Sequence, residues 1–315
     1  MIPVLPSGSM RLLVVTARYP TPDRPAAGAF VRDRLGDPGL EAIVVGPHRY
    51  GGSRWGRFAR LVWEALTTRG HFDGVEAHFV LASGPPALLA ARLRGLPLVV
   101  YAHGSDVRDA AHRSIVHRWL ASGVIRSAAA VVANSVETAE HVRRLGGRAE
   151  VIPPGIDLAR YRPTPRPSRR RVLYLGGDVP DKGVDVARRL ADTLAGPGIR
   201  EVDPDEVPEL MASHDVVLVP SRVEPYGLVA AEAIASGRWV VATAVGGLTD
   251  IVTDGVTGTL VTDGAYEAAL ASVPDYDPAL VAGGAARFSV ERHRAGMAEV
   301  WDRVLDARRR PGSRS

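Results

Sequence analysis

The chain has 315 residues, of which 46% are apolar and 23% charged, with a formal net charge of +4. That is enough apolar material to bury real cores in one large or two medium domains, and too little positive charge to argue for a nucleic-acid partner. The absence of cysteine excludes a disulfide framework, a thiolate nucleophile and a Cys-ligated zinc site, and is compatible with a reducing cytoplasm.

Residues 1 to 9 add nothing obvious to the first strand, RLLVVTA from Arg11. No apolar run approaches the roughly 18 residues that a bilayer span needs, and the N-terminus lacks signal-peptide order, so a soluble cytoplasmic protein with at most peripheral membrane association is expected. Further short apolar runs follow as EAIVVG, GVEAHFV, LPLVVYA, AAVVANS and AEVIPPG, separated by segments of helical spacing. This alternation is that of a parallel α/β unit. Within it, residues 53–68 are amphipathic, with Trp55, Phe58, Leu61, Val62 and Leu66 on one face and Arg54, Arg57 and Arg60 elsewhere. The favoured reading is a helix that packs this stripe on the sheet, and the alternative is a helix lying on a membrane surface.

A Pro/Arg-rich stretch, YRPTPRPSRRR, shows no periodicity, and a new strand, VLYLGG, starts at Val172. The expected division is 1–163, 164–288 and a C-terminal helix with a basic tail over 289–315. The arginine clusters at Arg169 to Arg171 and Arg308 to Arg310 read as solvated linker and tail. Strands are expected again at GIREV, DVVLVP, WVVATA and GTLV.

The run VVLVP leads into a turn marked by Pro225 and Gly227 and then into the Ala-rich helix LVAAEAIAS, closed by Gly237. Glu224 therefore lies on a loop and Glu232 inside a helix. The free N–H groups near Gly227 and Leu228 form an anion site favoured by the helix dipole, with one carboxylate able to reach each side of it. On the N-terminal side, His103 follows the buried strand LPLVVYA, at the carboxyl end where ligands of open α/β sheets bind. Of 39 basic side chains a single one is lysine, Lys182. Other histidines, His112 and His117 among them, show no metal-ligand spacing with carboxylates.

With these features in place, the chain resembles the retaining GT-B glycosyltransferases of family 4. The resemblance runs through ARYPTPDRPAAGAFVRDRL, EAHFVLASGPPALLAARLRGLPLVVYAHGSD, ANSVETAEHVRRLG, VIPPGIDLARYRP, YLGGDVPDKGVD, the glutamate motif and AVGGLTDIVTDGVTGTLV. It implies two Rossmann-like domains facing a cleft, with donor held mainly by the C-terminal domain and acceptor by the N-terminal one. The last helix should return to the first domain.

By the resemblance, Glu232 binds the donor ribose, Glu224 steadies the transferred sugar, and Lys182 binds the diphosphate. Tyr226, Gly227 and Leu228 belong to the same donor-binding stretch. Where the family normally has an arginine this chain has Gly177, so one cation of the phosphate site is missing. Only about 40 residues separate Lys182 from Ser221, which implies a trimmed C-terminal domain in which Val202 and Asp203 flank the base. Gly28 matches the glycine that lets a loop approach the donor phosphates, and Gly246 and Gly247 permit a close turn. His103 is expected to hydrogen-bond a sugar hydroxyl. His78 contacts acceptor or packs in the core, and Asp106 binds ligand or caps a helix.

The implied reaction is transfer from a nucleoside-diphosphate sugar, as co-substrate and without a cofactor or metal, to an unidentified small-molecule or glycan acceptor. The low-lysine, Ala/Arg/Gly-rich composition points to a GC-rich bacterial genome, and natural-product or cell-surface glycan assembly would suit such an enzyme. Two alternatives stand beside it: coupling to nitrogen, sulfur or a non-sugar on the same scaffold, and a non-catalytic nucleotide-sugar-binding subunit.

Overall fold

The structure, a computed structural model, describes residues 10–21, 28–37, 39–46, 53–112 and 114–309. These divide into two compact units, one running to Ile152 and resuming at His293, the other spanning Pro153–Arg292. The N-terminal unit holds strands β1 (Met10–Thr16), β2 (Leu40–Val45), β3 (Gly74–His78), β4 (Leu98–Ala102), β5 (Ala130–Ala133) and β6 (Glu150–Val151). Its helices are α1 (Ala29–Leu35), α2 (Arg54–Thr67), α3 (Gly84–Arg94), α4 (Ser105–His112), α5 (Ile115–Ser127) and α6 (Val136–Arg144). The second unit holds β7 (Val172–Leu175), β8 (Thr193–Ala195), β9 (Val216–Val219), β10 (Trp239–Thr243) and β11 (Gly258–Val261). Its helices are α7 (Val184–Leu190), α8 (Val207–Ala212), α9 (Leu228–Ala235), α10 (Leu248–Ile251), α11 (Tyr266–Ala271) and α12 (Pro278–Gly283). The final helix, α13 (Val290–Arg309), starts in the second unit and continues in the first.

Both sheets are parallel, with orders β2-β1-β3-β4-β5-β6 and β11-β10-β9-β7-β8. Each places its first strand between its second and its third. The strand order therefore reverses between β1 and β3 and between β7 and β9, which opens a ligand crevice at the carboxyl ends of those strands.

In the N-terminal unit, alternate strand residues serve opposite layers, as a sheet covered on both faces demands. Leu13, Val15, Ala77, Val100 and Ala102 share a core with Leu61 and Ala65 of α2, Ala87 and Ala91 of α3, and Ala121 and Val124 of α5. Leu12, Val14, Val99, Tyr101 and Val132 meet Val31 of α1 and Met297, Val300 and Trp301 of α13 on the other face. Ser53, Ser114 and Ser135 start α2, α5 and α6 by accepting a backbone N–H with the side-chain oxygen.

Several expectations from the sequence are corrected here. The units divide ahead of the Pro/Arg-rich stretch rather than at 164, and the N-terminal unit resumes at His293 rather than 289. Ile156 bridges Ser289, Tyr161 is buried in the second core, and Arg166 pairs with Asp215 at 2.8 Å. The stretch is thus a packed part of the second unit, and Arg170 donates to the carbonyls of Leu270 and Val273 instead of lying solvated on a linker. No strand forms at GIREV. Residues 193–195 pair with β7 instead, and Glu201 accepts the N–H of Gly198 in a local turn. In α2 the buried positions are Leu61 and Ala65, while Trp55 and Phe58, expected on the packed stripe, are exposed.

Candidate active site

In the second unit the candidate residues gather at the carboxyl ends of β7 and β9. After β7 the chain passes Gly176 and Gly177, makes a single 3-10 turn over Pro180–Lys182 and leaves it through Gly183 at φ 67°. A Cβ on Gly183 would lie 2.0 Å from the carbonyl oxygen of Pro220, so glycine is required both for the left-handed backbone and for the close approach of the two loops. The approach is sealed by the N–H of Arg222 donating to the Asp181 carbonyl at 2.8 Å.

This contact brings Lys182 Nζ to 2.6 Å from Glu224 Oε2, and the Ser221 hydroxyl donates to the same oxygen at 3.2 Å. The Glu224 carbonyl accepts the N–H of Gly247 at 2.9 Å, which ties the loop after β9 to the loop after β10. Three residues beyond Glu224, Gly227 at φ 102° begins α9 with no side-chain cap. The first-turn N–H groups of α9 are therefore available to an anion, with the dipole favouring negative charge.

Glu232 is half-buried about one turn into α9, on a helix whose Ala230, Ala231, Ala233 and Ile234 are buried. Tyr226 is itself buried and donates to the Pro154 carbonyl at 2.9 Å, so it anchors the loop. Burial, and after it the charge of Glu232, raises the pKa of its phenol. A Cβ at Gly177 would meet only Pro197 O at 3.7 Å and Val179 Cγ2 at 3.8 Å, so packing does not forbid a side chain at the position that lacks the arginine. Val202 is half-buried and Asp203 exposed in the segment before α8, where the Asp203 carboxylate accepts the N–H of Asp205 at 2.9 Å.

The N-terminal unit carries its own group of candidate residues, at the ends of β3 and β4. His78 is 1% exposed, with both ring nitrogens engaged: Nε2 is 3.1 Å from Glu76 Oε1 and Nδ1 is 3.1 Å from His103 Nε2. Glu76 is fully buried inside β3, and such a charge is tolerated only when paired. Burial pushes its pKa up, but Arg34 at 3.5 Å, His78 and the Trp301 indole N–H at 2.8 Å outweigh this and hold it at about 2.

His103 is packed among Phe30 and Phe79, each with ring centroids 4.5 Å away, and Tyr101 at 4.6 Å. Burial first, then the nearby His78, His293 and Arg18, lower its pKa well below 6.5. His103 is therefore a neutral imidazole at physiological pH. The ionised Glu76 takes the Nε2–H of His78. When His78 is neutral, its Nδ1 accepts the Nε2–H of His103, and the lone pair at His103 Nδ1 is left to accept a hydroxyl proton.

Phe79, which follows His78, is the one non-glycine residue with positive φ among the described residues, at 77°. That conformation costs of order 1–3 kcal/mol and ends β3 at the site. Asp106 accepts the N–H groups of Val80 at 2.6 Å and His103 at 3.1 Å, tying the loops after β3 and β4 together. Burial raises its pKa despite these bonds. Gly28, at φ 77°, starts α1 and would place a Cβ 2.6 Å from the Arg18 carbonyl oxygen, so it lets the loop after β1 fold back on itself. Glu76, Arg34, Phe79 and Trp301 belong to no motif legible along the chain. The available signal was an acidic residue in the middle of an otherwise apolar buried strand.

Residues 10–160 match the family described as Glycosyltransferase Family 4, and residues 198–275 match Glycosyl transferases group 1. The D-inositol 3-phosphate glycosyltransferase 1 of Catenulispora acidiphila is 33% identical over 76% of this chain and 72% of its own length. The chain belongs to the group 1, family 4 glycosyltransferases. The D-inositol 3-phosphate glycosyltransferase of Geodermatophilus obscurus is also 33% identical, over 78% of this chain and 67% of its own length. Across the curated relatives compared, this glycosyltransferase spans between 57% and 73% of their lengths.

Its GT-B fold is shared with solved structures. Anabaena Alr3699/HepE in complex with UDP-glucose superposes with a TM-score of 0.71 at 23% identity, covering 93% of this chain and all of that one. Sucrose-phosphate synthase from Thermosynechococcus elongatus superposes with a TM-score of 0.74 at 19% identity, covering 95% of this chain and all of that one. Family membership places the protein among enzymes, so the reading as a non-catalytic binding subunit falls away. Among the described residues no helix is long and apolar enough to cross a membrane, and no cluster of three or more His, Asp or Glu could hold a metal ion.

Proposed function

We propose that this glycosyltransferase moves a sugar, with retention of configuration, from a nucleoside-diphosphate sugar to a hydroxyl of a small-molecule acceptor. The observation that carries the reading is the Lys182–Glu224 pair at 2.6 Å beside the uncapped N-terminus of α9. One cation beside a fan of N–H donors suits a leaving diphosphate, and the adjoining carboxylate suits a sugar ring that gains positive charge.

In this reading the bond between the anomeric carbon and the diphosphate oxygen breaks, and its electron pair stays on the diphosphate. Lys182 and the first turn of α9 offset the charge that develops there. Glu224 accepts from sugar hydroxyls and steadies the oxocarbenium-like carbon, while Glu232 accepts from the ribose hydroxyls. The acceptor oxygen attacks from the face the diphosphate leaves, and its proton passes to the departing phosphate oxygen. His103, neutral and oriented through His78 by Glu76, holds a hydroxyl.

The relatives' names make D-inositol 3-phosphate the first acceptor to test, and the HepE complex makes UDP-glucose the first donor. Purified protein is incubated with a panel of nucleoside-diphosphate sugars and this acceptor, and the anomeric configuration of the product is read by NMR. An α-linked product from an α-linked donor is expected. A β-linked product rules out retention, and turnover unchanged in Glu224→Ala removes the proposed role of that carboxylate.

A further inference from the structure

We propose that the outer surface of the α2–α3–α5 layer docks the N-terminal unit onto an anionic lipid bilayer. Of the five tryptophans, Trp239 and Trp301 are buried, whereas Trp55, Trp63 and Trp119 are 75%, 67% and 71% exposed. Single exposed apolar residues need no explanation, but large ones gathered on one layer do. All three exposed tryptophans lie on α2 and α5, and the same helices expose Phe58 and Ile115. α3 packs against both, and it exposes Leu93. Because the three helices bury their inner residues in one core, their outer sides form a single surface.

The charge on this layer is one-sided. The three helices carry Arg57, Arg60, Arg92, Arg94, Arg118 and Arg126 in their described parts, against one carboxylate, Glu64. Such a surface suits a lipid interface on both counts. Tryptophan favours the zone between headgroup and acyl chain, and arginine buries its stem while its guanidinium meets a phosphate. Apolar insertion combined with basic charge is the pairing that makes peripheral binding stable. A symmetric contact with a second copy would set arginines against arginines, whereas an anionic surface complements them.

Flotation of the full chain with phosphatidylcholine vesicles, with and without phosphatidylglycerol, tests this. Binding is expected to vesicles containing phosphatidylglycerol, to weaken as salt is raised, and to shift tryptophan emission to the blue. The exposed Trp63→Ala and Trp119→Ala changes, made together, should lower partitioning at least about tenfold. Arg60→Glu with Arg118→Glu should abolish the preference for the anionic lipid. The proposal is overturned by absence of flotation with anionic vesicles or by partitioning that the tryptophan variant leaves unchanged. It is equally overturned by sedimentation showing a dimer that the same substitutions dissolve.

Discussion

Replacing Lys182 by alanine removes the ammonium that lies 2.6 Å from Glu224. The side chains are 36% and 12% exposed, so the pair adds under about 1 kcal/mol to folding and the variant should keep its thermal midpoint to within a few degrees. Binding of a nucleoside diphosphate is where the loss concentrates. A charged hydrogen bond to the diphosphate is worth roughly 1.5–3 kcal/mol, or about ten- to hundredfold in Kd. A second effect adds to it. Among the described residues Glu224 Oε2 then keeps the Ser221 hydroxyl as its partner, and its charge now faces the incoming anion. Like charges about 6 Å apart at an effective dielectric near 20 repel by roughly 3 kcal/mol. Adding Glu224→Gln to Lys182→Ala should therefore restore part of the lost affinity, giving the order wild type, double variant, Lys182→Ala. Isothermal titration with the nucleoside diphosphate that stabilises the protein most in a thermal-shift panel measures all the proteins. Unchanged affinity in Lys182→Ala, or a further loss when Glu224→Gln is added, refutes the reasoning.

Gly177→Arg should be accommodated, since its Cβ meets nothing closer than 3.7 Å. It should tighten nucleoside-diphosphate binding by about 1 kcal/mol or more through a second cation, and affinity equal to or weaker than wild type counts against a phosphate site there. Gly183→Ala forces a side chain into a left-handed backbone 2.0 Å from the Pro220 carbonyl oxygen. It should cost about 2–4 kcal/mol in urea unfolding and weaken the same ligand by displacing Lys182, and a neutral effect would show that the two loops are not locked. Glu76→Gln tests the buried relay through pH. The folded pKa of Glu76 is depressed to about 2 from 4.5, so its stabilisation is present above about pH 4.5 and disappears as pH falls toward 2. Wild type should lose roughly 3 kcal/mol more than Glu76→Gln across that window in urea midpoints, and parallel curves would contradict the assigned ion pairs.

The alternation of short apolar runs with helical segments gave away two parallel α/β units, because a strand buried on both faces has to be apolar along its length. Where those runs were unambiguous the structure has strands, as at β1, β4, β9 and β10. It failed at GIREV, where local propensity read as a strand but β7 took residues 193–195 as its neighbour. The Pro/Arg-rich stretch misled for a related reason. Its lack of periodicity marks irregular backbone, yet Tyr161 and Arg166 hold that backbone against the second unit through contacts far away in sequence.

For the site, the sequence by itself determined which residue types stand at the carboxyl ends of the strands: a lone lysine, two glutamates around a helix start, and a histidine. These follow from local order along the chain, which strand, turn and helix propensities carry. Only the tertiary structure decided that Lys182 reaches Glu224, because that contact depends on Gly183 letting one loop press against the carbonyl of Pro220. It alone decided that His78 turns both nitrogens inward and that Glu76 and Trp301, distant in sequence, stand behind His103. A buried charge must find its partners wherever the fold brings them, and no spacing along the chain records which ones those are.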